Sequence, residues 1–345
     1  MTIKQTYRAM QVSRPGQLEL VERNTPMPGP AEVLIEVEAC GMCGADIGDI
    51  EQADPSLTPP RVPGHEIVGR IAALGSGVPG IWKIGERVGV GRLGGHCNAC
   101  AQCWRGEFQL CRNQSFVGAN CDGGYAEMVL ARATGLVSIP EALGSEEAAP
   151  ILCAGIATFN ALRRSGAQPG DAVAILGIGG LGHMALQYAR KMGFRVIAIG
   201  RGADIAEDVA GLGAHLYLDT DEADAAAELQ RIGGVQAIVT TIGHAATISG
   251  LFPALTPQGR MVVLGAGKEA LSIAPRHLVG GERRVHGSLT GTPFECERSL
   301  DFSVLVDARP RFQTMPLERA PEAYRLLKEG AVKFRMVLTM TPPAL

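Results

Sequence analysis

The chain has 345 residues, 46% hydrophobic and 19% charged, more than one hydrophobic core usually serves, so two domains are expected. A net charge of -3 without a run of lysines or arginines excludes a nucleic-acid or anionic-membrane surface and leaves small-molecule chemistry. The 45 glycines exceed the usual share and mark tight turns and close approaches to a ligand.

At the start, Met1–Val12 carries Lys4 and Arg8 and lacks the apolar core of a secretory signal, and no stretch reaches transmembrane length without glycine or charge. The expectation is a cytoplasmic protein whose nine cysteines stay reduced, so their spacing is tested against metal sites rather than disulfides. After the Pro28-Gly29-Pro30 break, Val33, Ile35 and Val37 alternate with Leu34, Glu36 and Glu38, which predicts a strand, and Ile67–Leu74 predicts another. Breaks at Pro59-Pro60, Gly75-Ser76-Gly77 and Pro79-Gly80 suit an antiparallel, barrel-like domain, with long helices scarce before Glu146.

Beyond Pro169-Gly170 the pattern changes to a strand at Ala172–Leu176, a helix at Leu181–Met192, a strand at Arg195–Ile199 and further strands at Ala237–Thr241 and Met261–Leu264. Such alternation predicts βαβ units and a parallel sheet. From Pro293 onward the texture is mixed again.

Cys97, Cys100, Cys103 and Cys111 stand at C-x2-C-x2-C-x7-C spacing within the polar, glycine-rich stretch 94–112. Four thiolates in one short lobe match the closed tetrahedral set of a structural zinc; four free thiols or an iron-sulfur cluster are the alternatives. With every position filled by sulfur such an ion cannot take a substrate, so chemistry needs a second site. Cys43, His65 and Cys153 are scattered candidates, and each alone reads equally as a core residue; Cys40, Cys121 and Cys296 are read as small buried hydrophobes.

Gly177-Ile178-Gly179-Gly180-Leu181-Gly182 lies between a predicted strand and a predicted helix, which makes it a dinucleotide fingerprint with the pyrophosphate over the helix N-terminus. Where the next strand ends, an NAD enzyme usually offers Asp or Glu to the ribose, and this chain has Gly200-Arg201. A small residue beside an arginine that can pair with a 2'-phosphate favours NADP(H), with NAD(H) as the alternative; Arg201 as a solvated surface charge is the plainer reading. Asp204 is read as a helix cap.

The stretch Gly41-Met42-Cys43-Gly44-Ala45-Asp46, Gly64-His65-Glu66, the four-cysteine lobe, Cys153 and the glycine fingerprint follow one another as in zinc-containing medium-chain alcohol dehydrogenases, which the chain resembles over nearly its whole length. The resemblance implies a doubly wound parallel-sheet Rossmann domain (α/β) plus a mostly antiparallel, GroES-like β-barrel catalytic domain. The catalytic domain is expected at 1–154 with 292–345 and the cofactor domain at 155–291, with the chemistry in the cleft between them. It also implies that Cys43, His65 and Cys153 bind a catalytic zinc, the second of two per chain, with Asp46 and Glu66 around them. The physical case agrees: two thiolates cancel the ion's charge, an imidazole completes three ligands, and one position stays open for water or a substrate oxygen.

By the same resemblance Arg335 meets a cofactor phosphate, and Leu264, Gly265, Ala266, Ser288, Leu289 and Thr290 line the nicotinamide. Two departures concern substrate handling. The family's hydroxyl and histidine relay positions are Ala45 and Gly48, leaving water, with Asp49 as a candidate relay end, to carry the proton. Arg92 stands where related microbial enzymes often place a bulky aromatic, either as a pocket residue for a polar substituent or pointing to solvent. The expected function is zinc-dependent hydride transfer between a nicotinamide cofactor and an alcohol/carbonyl pair, in a homo-dimer or homo-tetramer by analogy. A zinc reductase of imines or conjugated carbonyls is the alternative suggested by the missing relay, and a non-catalytic zinc- and nucleotide-binding protein would require a missing ligand.

Overall fold

The computed structural model describes residues 3–52, 54, 56–57 and 59–340; Met1 and Thr2 of the amino-terminal segment and the tail from Thr341 to Leu345 lie outside the described residues. The chain divides into two compact units, Met1–Ile156 with Gly291–Leu305 and Arg309–Leu345, and Ala157–Thr290 with Val306–Ala308. No helix among the described residues is long and apolar enough to cross a membrane.

In the first unit, strands β1 (Thr6–Arg14) and β2 (Gln17–Asn24) form an antiparallel hairpin. There follow β3 (Glu32–Met42), β4 (Glu66–Leu74), β5 (Arg87–Val90), β6 (Met128–Arg132) and β7 (Leu136–Ser138). β3 is the hub, pairing antiparallel with both β4 and β6. Apart from the exposed Glu36 and the half-buried Glu32 and Glu38, it is buried on both faces at its ends, Leu34 as completely as Val33 and Ile35, so its alternating pattern understates its depth. Register shifts after Leu34 and Val37 bend β3 where it approaches the cysteines, as bulges do beside functional sites.

The second unit is one six-stranded parallel sheet of β8 (Ala172–Leu176), β9 (Arg195–Gly200), β10 (Leu216–Asp219), β11 (Val235–Thr240), β12 (Leu255–Val263) and β13 (Arg284–Gly287). The spatial order β10-β9-β8-β11-β12-β13 is the 3-2-1-4-5-6 order of a doubly wound fold, with the reversal between β8 and β11. β12 begins earlier than the apolar run at Met261 predicts, because Leu255 pairs with Val235 before a shift absorbs the polar Pro257-Gln258-Gly259 interruption.

The chain then returns through the helix Pro293–Val306 to β14 (Phe312–Pro316) and β15 (Arg335–Thr339). β15 pairs antiparallel with β3, Met336 opposite Met42, and completes a seven-stranded sheet of the first unit. This pairing carries Arg335 to the strand end that leads into Cys43.

Between β8 and the helix Gly182–Lys191 the backbone turns so tightly that a methyl group on Gly182 would lie 2.0 Å from the carbonyl oxygen of Gly177. Gly182→Ala is therefore expected to overpack this junction at a cost of about 1–3 kcal/mol and lower the thermal midpoint by a few degrees. An unchanged melting curve would show that the helix is free to shift.

Candidate active site

Cys43 directly follows β3 and caps the short helix Gly44–Ile50: its backbone N–H donates to Asp46 Oδ2 at 2.8 Å and its Sγ accepts from Ala45 N–H at 3.4 Å. This capping box fixes the thiol and the carboxylate together. His65, immediately before β4, is fully buried; its Nδ1 lies 2.9 Å from Asp46 Oδ1 and its Nε2 lies 3.2 Å from Cys43 Sγ. Cys153 arrives on a different kind of structure, a π turn at Ile151–Gly155 between the helices Ser145–Pro150 and Ile156–Arg164. Such turns are rare and recur at functional sites.

The donor atoms of Cys43, His65, Glu66 and Cys153 all lie within 4.8 Å of one another. The hydrogen bond with the Cys153 thiol, together with the His65 imidazole, holds Cys43 well below the usual thiol range despite burial. Burial pulls His65 down, but Asp46 and Cys43 outweigh it and hold the imidazole above its ordinary value. Burial pushes Glu66 up to about 7 against the opposing pull of Arg335, with which it is ion-paired. Glu66 Oε2 is buried without a hydrogen-bond partner. Two sulfurs, an imidazole nitrogen and an orphaned carboxylate oxygen converging away from water fit a divalent cation of zinc type.

Asp46 Oδ2 also accepts a hydrogen bond from Tyr125 O–H at 3.0 Å. Tyr125 was not among the residues read from the sequence: it sits 79 residues from Asp46, and only the Gly123-Gly124 pair before it hints at a close approach. Arg335, expected beside a cofactor phosphate, is 2% exposed and paired with Glu66.

In the four-cysteine lobe, Cys100 and Cys103 sulfurs are 3.5 Å apart, Cys100 and Cys111 3.9 Å, and Cys97 and Cys103 4.0 Å. Metal–sulfur bonds of about 2.3 Å in a tetrahedron space the sulfurs by about 3.8 Å, so the lobe fits a closed zinc site. The backbone N–H of Ala99 and the Asn113 side chain bring Cys97 down to about 6, which favours the ligating thiolate. Of the remaining cysteines, Cys40 and Cys296 are buried and Cys121 is half-buried.

In the second unit the glycine fingerprint, the Leu264-Gly265-Ala266 loop after β12 and Ser288-Leu289-Thr290 after β13 all stand at the carboxyl ends of parallel strands, where doubly wound folds bind nucleotides. Gly179 and Gly180 belong to the fingerprint turn, in which Gly177 has φ +90° and a methyl on Gly179 would meet nothing within 4 Å. Leu181 precedes the helix. Arg201 is exposed just past β9.

Gly200 is shut in by Tyr217, whose hydroxyl donates to Gly202 O at 2.8 Å. Asp219 Oδ1, a nearby carboxylate oxygen, accepts Gly202 and Asp221 N–H, each at 3.0 Å. Asp204 caps no helix; it lies inside the short 3-10 turn Ala203–Ile205, because the chain leaves β9 through Gly202 at φ +85° rather than entering a helix directly.

Arg92 and Asp49 are paired with each other. Arg92 donates Nη2–H to Asp49 Oδ1 at 3.0 Å and pairs with Oδ2 as well, and its Nη1 reaches Val117 O at 3.2 Å. The arginine is not a loose solvent charge, and both oxygens of the carboxylate proposed as a relay end are taken by it.

Residues 29–141 match the family described as "Alcohol dehydrogenase GroES-like domain" and residues 180–304 the family described as "Zinc-binding dehydrogenase". The alcohol dehydrogenase notN of Aspergillus sp. (strain MF297-2) is 38% identical over 341 residues, covering 99% of this chain and 100% of the relative. Among solved structures, CAD from Helicobacter pylori complexed with NADP(H) superposes with a TM-score of 0.86 at 28% identity, covering 97% of this chain and 98% of that one. Acetophenone reductase from Geotrichum candidum in complex with NAD gives 0.86 at 26% identity, with 98% of each chain covered. A chain that matches a relative end to end at this identity and carries both family domains in order belongs to the zinc-containing medium-chain alcohol dehydrogenase family, whose members are oxidoreductases of alcohol and carbonyl groups.

Proposed function

We propose that this oxidoreductase interconverts a polar alcohol with its aldehyde or ketone, using two zinc ions per chain and preferring NADP(H). The observation that carries the reading is the convergence of Cys43, His65 and Cys153 beside a fixed carboxylate, Asp46. When bound, zinc supplies Lewis acidity that eases alcohol deprotonation or polarises a carbonyl, and the dinucleotide supplies or accepts the hydride. Cys43 and Cys153 bring the negative charge that neutralises such an ion. Asp46 Oδ1, 2.9 Å from His65 Nδ1, would hold the ring proton there and leave Nε2 to bind such an ion. Arg335 balances Glu66 and prevents an unpaired carboxylate from remaining buried.

Ala45 and Gly48 offer no side-chain hydrogen bond, and Asp49 is occupied by Arg92, so proton exchange is left to water. The same absence motivates a second reading, reduction of imines or conjugated carbonyls, which a substrate panel separates from the first. Arg92 is held rigidly by Asp49, stays 23% exposed, and feels the charges of Asp46 and Cys43. A fixed guanidinium whose charge is felt at Cys43 supports a substrate bearing a carboxylate or another strong acceptor. For the cofactor, Gly200 and the exposed Arg201 support a 2'-phosphate; solved relatives carry either dinucleotide.

Elemental analysis is expected to find two zinc ions per chain, falling to one with loss of turnover in Cys43→Ala; one zinc in the wild type, or turnover surviving that change, overturns the metal assignment. NADPH is expected to bind more tightly than NADH, and Arg201→Ala to weaken NADPH alone by about 1–3 kcal/mol in fluorescence titrations. Equal loss for both cofactors would remove the arginine from phosphate recognition. Because Arg92→Trp alone would strand Asp49, the double variant Asp49→Ala/Arg92→Trp is the cleaner probe. It is expected to lower kcat/KM for carboxylate-bearing aldehydes about 10- to 100-fold relative to neutral ones; a parallel change for both classes would leave Arg92 no part in selection.

A further inference from the structure

Tyr125 is fully buried in the first unit, and hydrogen bonds on both sides of its backbone fix where its side chain starts. Gly123 N–H donates to Val62 O at 2.7 Å, Gly124 N–H to Gly64 O at 2.9 Å and Tyr125 N–H to Pro63 O at 3.0 Å, while Met10 N–H donates to the Tyr125 carbonyl at 2.7 Å. The segment is thereby zipped to the one that runs into His65. The tyrosine ring lies against Gly64, at φ +96°, where a methyl group would collide with it. From that seat the hydroxyl donates to Asp46 Oδ2 at 3.0 Å, the same oxygen that accepts Cys43 N–H at 2.8 Å. Asp46 Oδ1, on the other side of the carboxylate, lies 2.9 Å from His65 Nδ1.

Packing against Gly64 asks only for a flat ring, which phenylalanine would supply. The hydroxyl is a polar group taken out of water, and a buried phenol is tolerated where its O–H finds a partner. Here the partner is a carboxylate that faces a candidate metal ligand. The last torsion of an aspartate is broad and roughly two-fold, so a carboxylate keeps one orientation only where its oxygens are held. Tyr125 O–H and Cys43 N–H together take up Oδ2 and leave Oδ1 turned to the imidazole. Without the hydroxyl, Oδ2 keeps a single donor, the buried charge is less well satisfied, and the plane that orients His65 is freer to rotate. We propose that Tyr125 is a positioning residue for the open metal site, acting through Asp46 to keep His65 Nε2 aimed at the ion. The proposal rests on the zinc reading of Cys43, His65 and Cys153. Partners of this kind, one step removed from the ligands, carry a share of metal affinity without touching the ion.

The test is zinc release from the full-length, zinc-loaded protein challenged with EDTA, the metal left on the chain being counted over time by elemental analysis. Wild type is expected to lose its two ions in separate phases, and the phase missing from Cys43→Ala identifies the open site. Tyr125→Phe keeps the ring against Gly64 and removes only the hydroxyl. It is expected to release the open-site zinc about tenfold faster while the four-cysteine lobe releases its own at the wild-type rate. Asp46→Asn is expected to speed the same phase by at least as much. An open-site rate in Tyr125→Phe equal to wild type overturns the proposal, as does an Asp46→Asn chain that holds this zinc as wild type does. Equal acceleration at both sites, or a Tyr125→Phe chain that does not fold, would make the hydroxyl a group that serves the fold at large and equally overturn it. Wild type that carries zinc in the lobe alone overturns the metal reading itself, an outcome visible before any variant of Tyr125 is made.

Discussion

One buried carboxylate, that of Asp46, receives hydrogen bonds from three parts of the first unit: the backbone of Cys43, the ring of His65 and the hydroxyl of Tyr125. An ionised carboxylate fully removed from water is costly unless its lone pairs are occupied, and here three donors occupy them. The same bonds that make Asp46 tolerable fix the Cys43 thiol, the His65 tautomer and the loop that carries Tyr125. The geometry of the thiolate-imidazole cluster is thus a by-product of satisfying one charge. Glu66 and Arg335 repeat the logic one layer out, with a guanidinium delivered by β15 from the far end of the chain.

In the second unit the governing constraint is steric. Parallel strands deliver their loops to one edge, and the backbone must turn from β8 into its helix with almost no room, which only Gly177 and Gly182 permit. The side opened by Gly179 is the complement of that crowding. At the end of β9 the space an acidic residue would need is limited by Tyr217, which gives Gly200 a packing role alongside any part in cofactor choice.

Close to the donors that could hold a metal ion, Ala45 and Gly48 offer no side-chain hydrogen bond, while Asp49 and Arg92 form a bidentate pair. A buried Asp49 needs a cation, and Arg92 supplies it. The pair holds both side chains in one geometry and makes this surface rigid and charged.

What the sequence determined by itself is what short-range spacing encodes. Four cysteines within fifteen residues of one another and a glycine fingerprint between a strand and a helix act over distances the backbone cannot much change, and the structure gathers both as their spacing requires. The strands of the second unit were legible because buried parallel strands are continuous apolar runs; β3 was legible as a strand but not as the hub that pairs with β4, β6 and β15. The pairing of Asp46 with Tyr125, of Arg92 with Asp49 and of Glu66 with Arg335 spans 79, 43 and 269 residues, and nothing local says which residue meets which. The same holds for the π turn that presents Cys153. These belong to the tertiary structure alone, because a buried charge takes its partner from whichever strand or helix packs next to it, and that choice is made by the whole fold rather than by the neighbouring residues in the chain.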